Sequence, residues 1–378
     1  MKKRIRIGIL GGGQLARMSA YQAYKLGFEV AILEKKAQSP AGQLTKYEYV
    51  GWVNDKDLIK KFISHCDIIT LENEFIDYKD LEFIELLGKK VLPSSKTISL
   101  IQDKFIQKQT FLRNGLPVPA FVEVKNSSGY KSVSKKLGNK FILKSRKMGY
   151  DGYGNALVTD EKSYNDGINK LSDRHSDLMA EEFVEFKKEL AVMIARTQTE
   201  TIAYPVVETI QKNHICHTVI APAQISLKLQ KNVKEISIRA VEAVRGIGLF
   251  GIELFITGDN KILLNEMAPR PHNSGHYTIE ACTTSQFENH VRAVLGLPLG
   301  SAEMVKPYAV MINLLGKKEG PGMVADYKES LKNEYLHLHI YGKDLSRPGR
   351  KMGHITMLGD KIEPVLSELK KIERKIII

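Results

Sequence analysis

The stretch NEMAPRPHNSGH (265–276) places side chains of many chemical kinds within a short length of chain. Its polar groups are too dense for a core strand, and its two prolines rule out a helix interior. Arg270 can bind a planar anion through two parallel hydrogen bonds, and His272 or His276 can transfer a proton. The asparagines and the serine can donate further hydrogen bonds. The stretch is therefore a candidate functional site, with a structural polar cluster as the alternative.

A predicted hairpin that runs into this stretch contributes two acids. The runs LFGIELF and KILLNEMA flank ITGDN, whose Gly258–Asp259 pair predicts a tight turn. With the turn centred there, Glu253 lies opposite Leu264, and Glu266 is its diagonal neighbour, about 7–8 Å away on the same face. These carboxylates, with the amide oxygen of Asn265, suit Mg²⁺ shared with phosphates. The alternative is two acids on an exposed sheet face.

The elements that must position these groups begin with an α/β region. The β-branched runs RIRIGIL, FEVAILE and CDIITLE alternate with helix-like segments, which predicts a doubly wound parallel sheet with ligands at the carboxyl ends of its strands. GGGQLA (11–16), with Glu34 after the second strand, matches a dinucleotide pattern and favours a nicotinamide-dependent dehydrogenase. The same glycines could admit another ligand's phosphate or form a plain turn. Glu72 and Glu74 suit sugar hydroxyls or a solvated helix start.

A second domain is expected after the helix-like SSKTISLIQDKFIQKQTFLRNG, because Gly115 ends that pattern and LPVPAF forms a stiff link. The strand-like FILK ends in Lys144 and precedes the glycine-rich KMGYDGYGN, which suits a phosphate clamp that opens and closes. It is not a Walker motif, because the Gly-Lys-Ser/Thr ending is missing. LMAEEFVEFKKELAVMIAR then predicts two strands around a short turn, with Glu189 near the start of the second.

The composition limits the class of protein. The 378 residues suffice for two or three domains, and the formal net charge is +13. The lysines are spread along the chain, which favours a solvated surface over a nucleic-acid binder, and attraction of small anionic substrates is a third interpretation. No apolar run approaches the ~18 residues of a membrane span. The three dispersed cysteines fit neither a disulfide framework nor a zinc pattern, so we expect a reducing cytoplasm, with no membrane or nucleic-acid partner.

The order of these motifs resembles that of ATP-grasp enzymes. Within that superfamily, NEMAPRPHNSGHYTIEAC and YGKDLSRPGRKMGHI resemble the 5-(carboxyamino)imidazole ribonucleotide synthases, and the likeness extends from GILGGGQLARM to MGHI. It implies an ATP-grasp fold of the α/β class with an α+β lid. The expected parts are a doubly wound N-terminal domain (1–102), a lid domain (103–184), a larger catalytic domain (185–302) and a C-terminal segment packed on it (303–378).

The resemblance also implies roles for individual residues. ATP would contact Lys104, Lys144, Gly149, Tyr150, Asp151, Gly152, Tyr153, Gly154, Asn155, Glu181, Glu182, Phe183, Val184, Glu189, Gln211, Asn265 and Glu266. Magnesium would be held by Glu253 and Glu266. Bicarbonate and the aminoimidazole would lie among Arg270, His272, Asn273, Ser274 and His276. The ribonucleotide would contact Gln14, Leu15, Glu72, Glu74, Lys343, Arg350 and Lys351, the last three through its phosphate.

The activity implied by the resemblance is ATP- and magnesium-dependent carboxylation of aminoimidazole ribonucleotide with bicarbonate, through carboxyphosphate, in purine biosynthesis. A homodimer is also implied. The alternatives are another ATP-grasp ligase or carboxylase and, from a different class, the dehydrogenase. Two positions depart from the family pattern: Gln211 stands where a histidine is common, with His214 close by, and Tyr153 stands where a basic lid residue is usual.

Overall fold

The computed structural model describes residues 4–125, 128–149, 154–172, 177–323 and 326–377. Its first layer is a parallel sheet of order β3-β2-β1-β4, comprising β1 (Arg6–Leu10), β2 (Glu29–Glu34), β3 (Glu48–Val50) and β4 (Ile68–Leu71). Helices α1 (Gln14–Lys25), α2 (Lys56–Ser64) and α3 (Tyr78–Leu86) accompany it. The predicted doubly wound arrangement is confirmed, with β3 as an additional short strand.

The next segment contains two helices where the sequence suggested one. They are α4 (Ser95–Ser99) and α5 (Lys104–Arg113). Asp103 separates them, because its carboxylate accepts hydrogen bonds from the backbone N–H groups of Phe105 and Ile106 and thereby starts α5. This N-cap fixes the start of α5 and with it the position of Lys104, the first residue of the helix.

The lid is an antiparallel sheet of order β5-β8-β6-β7. It comprises β5 (Phe121–Val124), β6 (Phe141–Ser145), β7 (Asn155–Val158), β8 (Leu178–Glu182), α6 (Tyr130–Leu137) and α7 (Glu161–Ser172). The sheet and its two helices enclose a separate small core that includes Phe141, Leu143 and Tyr164. Because α5 instead packs Phe111 into the core of the large sheet, the lid begins after α5 rather than at residue 103 as predicted.

The large sheet is antiparallel, with order β14-β13-β9-β11-β12-β15-β19-β17, and β10 pairs with β9. Its strands are β9 (Phe186–Arg196), β10 (Thr201–Ala203), β11 (Val207–Lys212), β12 (Ile215–Ala221), β13 (Gly248–Thr257), β14 (Ile262–Ala268), β15 (Tyr308–Leu315), β17 (His337–Ile340) and β19 (Lys351–Gly359). The short β16 (Gly320–Pro321) pairs with β18 (Leu345–Ser346). The helices are α8 (Leu227–Ala243), α9 (Thr278–Ala281), α10 (Gln286–Leu295) and α11 (Ile362–Lys375). The C-terminal segment thus extends the catalytic sheet.

The strands β1, β2 and β4 of the first sheet are mostly buried, which joins this layer to the rest of the molecule. Leu33 and its neighbours on one face pack against Phe62 of α2. Ile32, on the opposite face, belongs to a core that also contains Val291 and Val294 of α10. Because successive side chains of a strand point to opposite faces, one hydrophobic strand attaches the N-terminal layer to the catalytic part. None of the described helices is long and apolar enough to cross a membrane.

Candidate active site

One open cavity of about 1070 Å³ is bordered by the N-terminal layer, the lid and the large sheet. This volume is at the upper end of the usual range for small-molecule sites, so it has room for more than one substrate. The predicted residues that line it are Gln14, Leu15, Glu72, Glu74, Lys104, Lys144, Gly149, Asn155, Glu181, Glu182, Phe183, Val184, Glu189, Gln211, Glu253, Asn265, Glu266, Arg270, His272, Asn273, Lys343, Arg350 and Lys351. Segments far apart in sequence therefore meet in one place.

The two acids of the hairpin are closer than predicted. Glu253 pairs directly with Glu266 across β13 and β14, and is not its diagonal neighbour. The register then shifts, so that Leu254 pairs with Leu264 and Asn265 is an extra residue in β14. Such a bulge is not visible in the turn motif. Its consequence is that the two carboxylates share one face at the closest cross-strand spacing, with Cβ atoms about 4.5–5.5 Å apart.

The two acids of this pair have different charged neighbours. Glu266 forms an ion pair with Lys104. Burial raises the pKa of Glu266, but Lys104 outweighs it and brings the pKa to about 2. For Glu253, burial and the repulsion from Glu266 raise the pKa well above its usual value. A cation beside Glu253 would relieve that repulsion.

Lys144 approaches the same face from the lid. Its Nζ is 2.8 Å from Oε1 of Glu181 and 3.5 Å from Oδ1 of Asn265. The other oxygen of Glu181 lies 2.7 Å from Nζ of Lys108, a residue that the sequence reasoning missed. The missed signal is spacing: Lys108 follows Lys104 by four residues on α5, so the two side chains lie on the same face of the helix. Positive charge therefore converges on the ends of β13 and β14.

The edge of the Arg270 guanidinium group formed by Nε and Nη2 does not face the open cavity. Its Nε and Nη2 donate to the two carboxylate oxygens of Glu74, at 2.5 and 3.0 Å, and Nη1 donates to the carbonyl oxygen of Pro271 at 3.2 Å. The predicted two-bond contact with an anion is therefore made with Glu74. This contact fixes the guanidinium plane, and the edge between Nη1 and Nη2 still has N–H groups for an incoming anion.

His272 lies beside the acid pair, with Nε2 3.5 Å from Oε1 of Glu253. Burial, together with the positive charges of Arg270 and Lys351, lowers the pKa of His272 to about 3, so its ring is neutral at pH 7. The side-chain amide of Gln286 makes two hydrogen bonds with the backbone of His272. Its Oε1 accepts from the His272 N–H at 2.9 Å, and its Nε2 donates to the His272 carbonyl oxygen at 2.8 Å. A neutral, firmly held imidazole is able to accept a proton.

The end of the NEMAPRPHNSGH stretch lies deeper than predicted. Asn273 reaches the cavity and exchanges two amide hydrogen bonds with Asn313. Ser274 and His276 are buried and do not line the cavity. The ring of His276 packs against Phe287, and its Nδ1 is 3.0 Å from the side-chain nitrogen of Gln286. Ser274 and His276 thus lie behind the cavity wall, and the direct substrate contacts predicted for them stay predictions.

In the N-terminal layer, the N–H groups of the glycine turn already donate hydrogen bonds to carboxylates. Glu72 accepts hydrogen bonds from the N–H groups of Gly13 and Leu15 at 2.9 and 3.3 Å, and Glu34 accepts from Gly12 at 2.8 Å. These are the amides that a dinucleotide pyrophosphate would need at the start of a helix. The carboxylates of Glu34 and Glu72 occupy these N–H groups and would repel a pyrophosphate. The structure therefore contradicts the dehydrogenase interpretation.

The large sheet carries Glu189 and Gln211, two of the residues predicted to contact the nucleoside part of ATP. Glu189 accepts hydrogen bonds from Thr209 Oγ1 at 3.0 Å and from Gln211 Nε2 at 2.6 Å. Both Gln211 and His214 line the cavity, so the two candidates for the adenine-side contact lie on the same side. Phe186 and Phe255 stack nearby with their ring centres 4.7 Å apart, and both line the cavity. In the loop, Gly149 and Asn155 border the cavity, Gly154 adopts a positive φ of 95°, and Tyr150 to Tyr153 lie outside the described residues.

The opposite wall is basic. Lys343, Arg350 and Lys351 line it together with Arg347, which the sequence reasoning did not select. Lys343 Nζ donates to the carbonyl oxygen of Lys351 at 2.6 Å, and Arg350 Nη1 donates to that of Leu345 at 2.5 Å. These contacts fix the positions of the side chains near the start of β19. The cavity thus has one cationic group at the acid pair and a second at the C-terminal wall.

Comparisons with known proteins agree with this layout. Family models match a ribonucleotide synthetase preATP-grasp domain over residues 1–102, an ATP-grasp domain over 109–287 and a phosphoribosylaminoimidazole carboxylase C-terminal domain over 309–368. The phosphoribosylaminoimidazole carboxylase of Ogataea methanolica is 42% identical over 376 residues, 97% of this chain and 69% of that protein. The chain spans about two thirds of the length of such fungal and plant relatives.

Two further relatives match almost from end to end. The N5-carboxyaminoimidazole ribonucleotide synthase of Synechococcus elongatus is 40% identical over 353 residues, 93% of this chain and 89% of that protein. The crystal structure of the N5-carboxyaminoimidazole synthase of Aspergillus clavatus, in complex with ADP and 5-aminoimidazole ribonucleotide, matches with a TM-score of 0.89 at 34% identity and covers 98% of both chains. Domain order, identity over nearly the whole chain and fold agree, and the chain belongs to the ATP-grasp enzymes and, within them, to the N5-carboxyaminoimidazole ribonucleotide synthase family.

Proposed function

We propose that this chain carboxylates 5-aminoimidazole ribonucleotide with bicarbonate and ATP, giving N5-carboxyaminoimidazole ribonucleotide for purine biosynthesis. The observation that carries this proposal is a single cavity in which an acid pair flanked by lysines meets the Arg270–Asn273 segment. The first group suits nucleotide phosphates, and the second suits a small planar anion and its proton. The ADP and 5-aminoimidazole ribonucleotide named for the Aspergillus clavatus structure support both halves.

Magnesium fits the donor set of the hairpin. Glu253, Asn265 and Glu266 offer only oxygen ligands on the cavity side, which is the chemistry Mg²⁺ prefers. The raised pKa of Glu253 supports the same assignment, because burial and Glu266 disfavour its ionised form and a bound cation would stabilise that form. When bound with ATP, the ion would offset phosphate charge during phosphoryl transfer.

The first step needs positioning and charge neutralisation more than bond-making by the protein. A bicarbonate oxygen attacks the γ-phosphorus of ATP, the bond to ADP breaks, and carboxyphosphate forms. Lys104 and Lys144, which line the cavity from α5 and the lid, would face the nucleotide phosphates. Arg270, held in plane by Glu74, offers its remaining N–H groups to the carbonate-like end.

The second step moves the carboxyl group to nitrogen. The carbon–oxygen bond of carboxyphosphate breaks, inorganic phosphate leaves, and the carbon dioxide unit forms a bond to the exocyclic amine. That amine loses a proton, which the neutral ring of His272 can accept. Negative charge on bound substrates would raise the pKa of His272 toward the range of an effective base. The lid over the nucleotide would exclude water from the reactive intermediate.

The ribonucleotide would lie between the N-terminal layer and the basic wall. Lys343, Arg350 and Lys351 would bind its phosphate, because they form the second cationic group of the cavity. Gln14, Leu15 and the acids that follow β4 would face its sugar and ring. We include a homodimer and a cytoplasmic location in the proposal, the latter supported by the three dispersed cysteines of the sequence, whose spacing fits no disulfide framework.

The deciding experiment measures phosphate release from ATP by the purified chain. We expect turnover that requires Mg²⁺ and is strongly stimulated by 5-aminoimidazole ribonucleotide with bicarbonate. The carboxylated product should be trapped and identified by mass spectrometry. Mg²⁺-dependent turnover stimulated by a different amine or carboxylate, and not by this ribonucleotide, would replace the proposal with that of another ATP-grasp ligase.

A further inference from the structure

Lys108 is a buried lysine to which the proposed mechanism gives no role. Only 3% of its side chain is exposed, and it does not line the cavity. Its Nζ lies 2.7 Å from Oε2 of Glu181 and donates to the carbonyl oxygen of Leu264 at 3.3 Å. Because burying an ammonium group is costly unless it is paired, the effect of Lys108 is expected at its partner, Glu181.

Glu181 lies between two lysines. Its Oε1 is 2.8 Å from Nζ of Lys144, and its side chain is as buried as that of Lys108, with 3% exposed. Unlike Lys108, both Glu181 and Lys144 line the cavity. Glu181 and Lys144 come from the lid strands β8 and β6, whereas Lys108 comes from α5, which packs on the large sheet. The contact therefore also crosses from the body of the protein to the lid.

We propose that Lys108 is a positioning residue for nucleotide binding: it neutralises Glu181, so that Lys144 keeps its positive charge available for the phosphates. The three side chains carry one negative and two positive charges, and the net positive charge is on the cavity side. Without Lys108, Glu181 and Lys144 would cancel. The lid would then present a neutral pair to an anionic ligand.

The geometry adds a second effect in the same direction. Lys108 holds Oε2 of Glu181, so that only Oε1 is directed at Lys144. With Oε2 released, the carboxylate could turn both oxygens toward Nζ of Lys144 and draw it away from the phosphates. In a shielded site such pairing is strong, because Coulomb attraction grows as the effective dielectric falls.

The protonation states are consistent with this role. Burial lowers the pKa of Lys108 to about 8, so the side chain is mostly charged at pH 7. Burial raises the pKa of Glu181, but the attraction of Lys108 and Lys144 outweighs it and leaves the pKa below its usual value. The carboxylate is therefore ionised, and the triad carries its net positive charge at neutral pH.

Because this role presupposes the proposed ATP site, the test compares ligands with and without phosphates. Calorimetric titrations would measure the binding of Mg²⁺–ADP and of adenosine to wild type, Lys108→Met, Lys108→Met/Glu181→Gln and Lys231→Met. Lys231 is an exposed lysine on α8, so its variant controls for loss of one positive charge. A wild type that binds no Mg²⁺–ADP would overturn the proposed function itself.

For Lys108→Met we expect Mg²⁺–ADP binding to weaken roughly 10–100-fold, the effect of one charge-assisted hydrogen bond. Adenosine binding should stay within about 3-fold, a change under ~0.7 kcal/mol. The resemblance assigns only the backbone of Glu181 to the adenine edge, so the double variant, which removes both buried charges, should recover most of the ADP affinity, and Lys231→Met should match wild type. Equal loss of ADP and adenosine, or no recovery in the double variant, would show a merely structural role. If Lys108→Met does not fold, the folded double variant decides: ADP affinity near that of wild type supports the role, and a loss above about tenfold overturns it.

Discussion

Two pairs of glutamates, one in the N-terminal layer and one in the large sheet, have different surroundings. In the N-terminal layer, Glu34 and Glu72 accept the backbone N–H groups of the glycine turn. In the large sheet, Glu253 and Glu266 face each other across two strands, with Lys104 paired to only one of them. The first pair completes a turn, whereas the second has an excess of negative charge. Identical side chains therefore hold the backbone of a turn in one layer and are ready for a cation in the other.

The largest effect is expected when the second pair loses a charge. Glu266→Gln keeps the shape of the side chain but removes its charge from the metal and from Lys104. We expect turnover to fall at least ~100-fold, because metal-held charge contributes several kcal/mol to the transition state. Steady-state phosphate release, with circular dichroism to confirm folding, checks this. Near-normal turnover in a folded Glu266→Gln protein would contradict the ligand role.

Removing the lid cation should come next. Lys144→Ala removes a charged contact with the phosphates and should lower turnover by roughly 100-fold. Tyr153, which lies outside the described residues, is the contrasting position, because the usual basic lid residue is missing there. Tyr153→Phe should change turnover by less than ~10-fold, since a neutral hydrogen bond contributes about 0.5–1.5 kcal/mol. Equal inactivation of the two variants would give the Tyr153 hydroxyl a direct chemical role.

The basic wall should affect one substrate selectively. Arg350→Ala and Lys351→Ala should raise the KM for 5-aminoimidazole ribonucleotide about tenfold or more, as expected for loss of a charged hydrogen bond. The KM for ATP should change much less, because its phosphates are placed at the acid pair. Initial rates with each substrate varied in turn separate the two constants. A selective rise in the KM for ATP would mean that the two phosphate sites are exchanged.

The smallest effect on turnover is expected at Glu34, the member of the first pair that does not line the cavity. Glu34→Gln is the matched control for Glu266→Gln, because it makes the same chemical change at a carboxylate that accepts the N–H of Gly12. We expect turnover within about 3-fold of wild type and a free energy of unfolding lowered by about 0.5–1.5 kcal/mol. Urea denaturation and the same phosphate assay measure both. A loss of turnover as large as that of Glu266→Gln would remove the distinction between the pairs.

The strongly patterned elements were predictable from sequence. The N-terminal strands are continuous apolar runs, and the hairpin strands around Gly258 and Asp259 are marked by their turn. The three-residue β3 gives too short a pattern, and the break between α4 and α5 depends on one cap at Asp103. The spacing of apolar residues identifies helices and strands, but it does not show where a single capping side chain begins or ends a helix.

Details of the site were predictable to a lesser degree. The residues that line the cavity came mostly from the family motifs, but the bulge at Asn265 depends on how β14 pairs, which the sequence does not show. The burial of His276 follows from its packing against Phe287 and Gln286, which lie beyond the motif. The sequence signal for Lys108 was only its spacing of four residues from Lys104 on α5. Its partner Glu181 belongs to another layer, so the pairing needed the tertiary structure.

The most direct test of the contrast between the two pairs is the Mg²⁺ dependence of ADP binding. Calorimetry would measure ADP affinity with and without Mg²⁺ for wild type, for Glu34→Gln and for the double variant Glu253→Gln/Glu266→Gln. We expect Mg²⁺ to strengthen ADP binding at least about tenfold in wild type and in Glu34→Gln, a difference of ~1.4 kcal/mol, and to have no such effect in the double variant. Full Mg²⁺ enhancement in a folded double variant would contradict the assignment of the metal to Glu253 and Glu266.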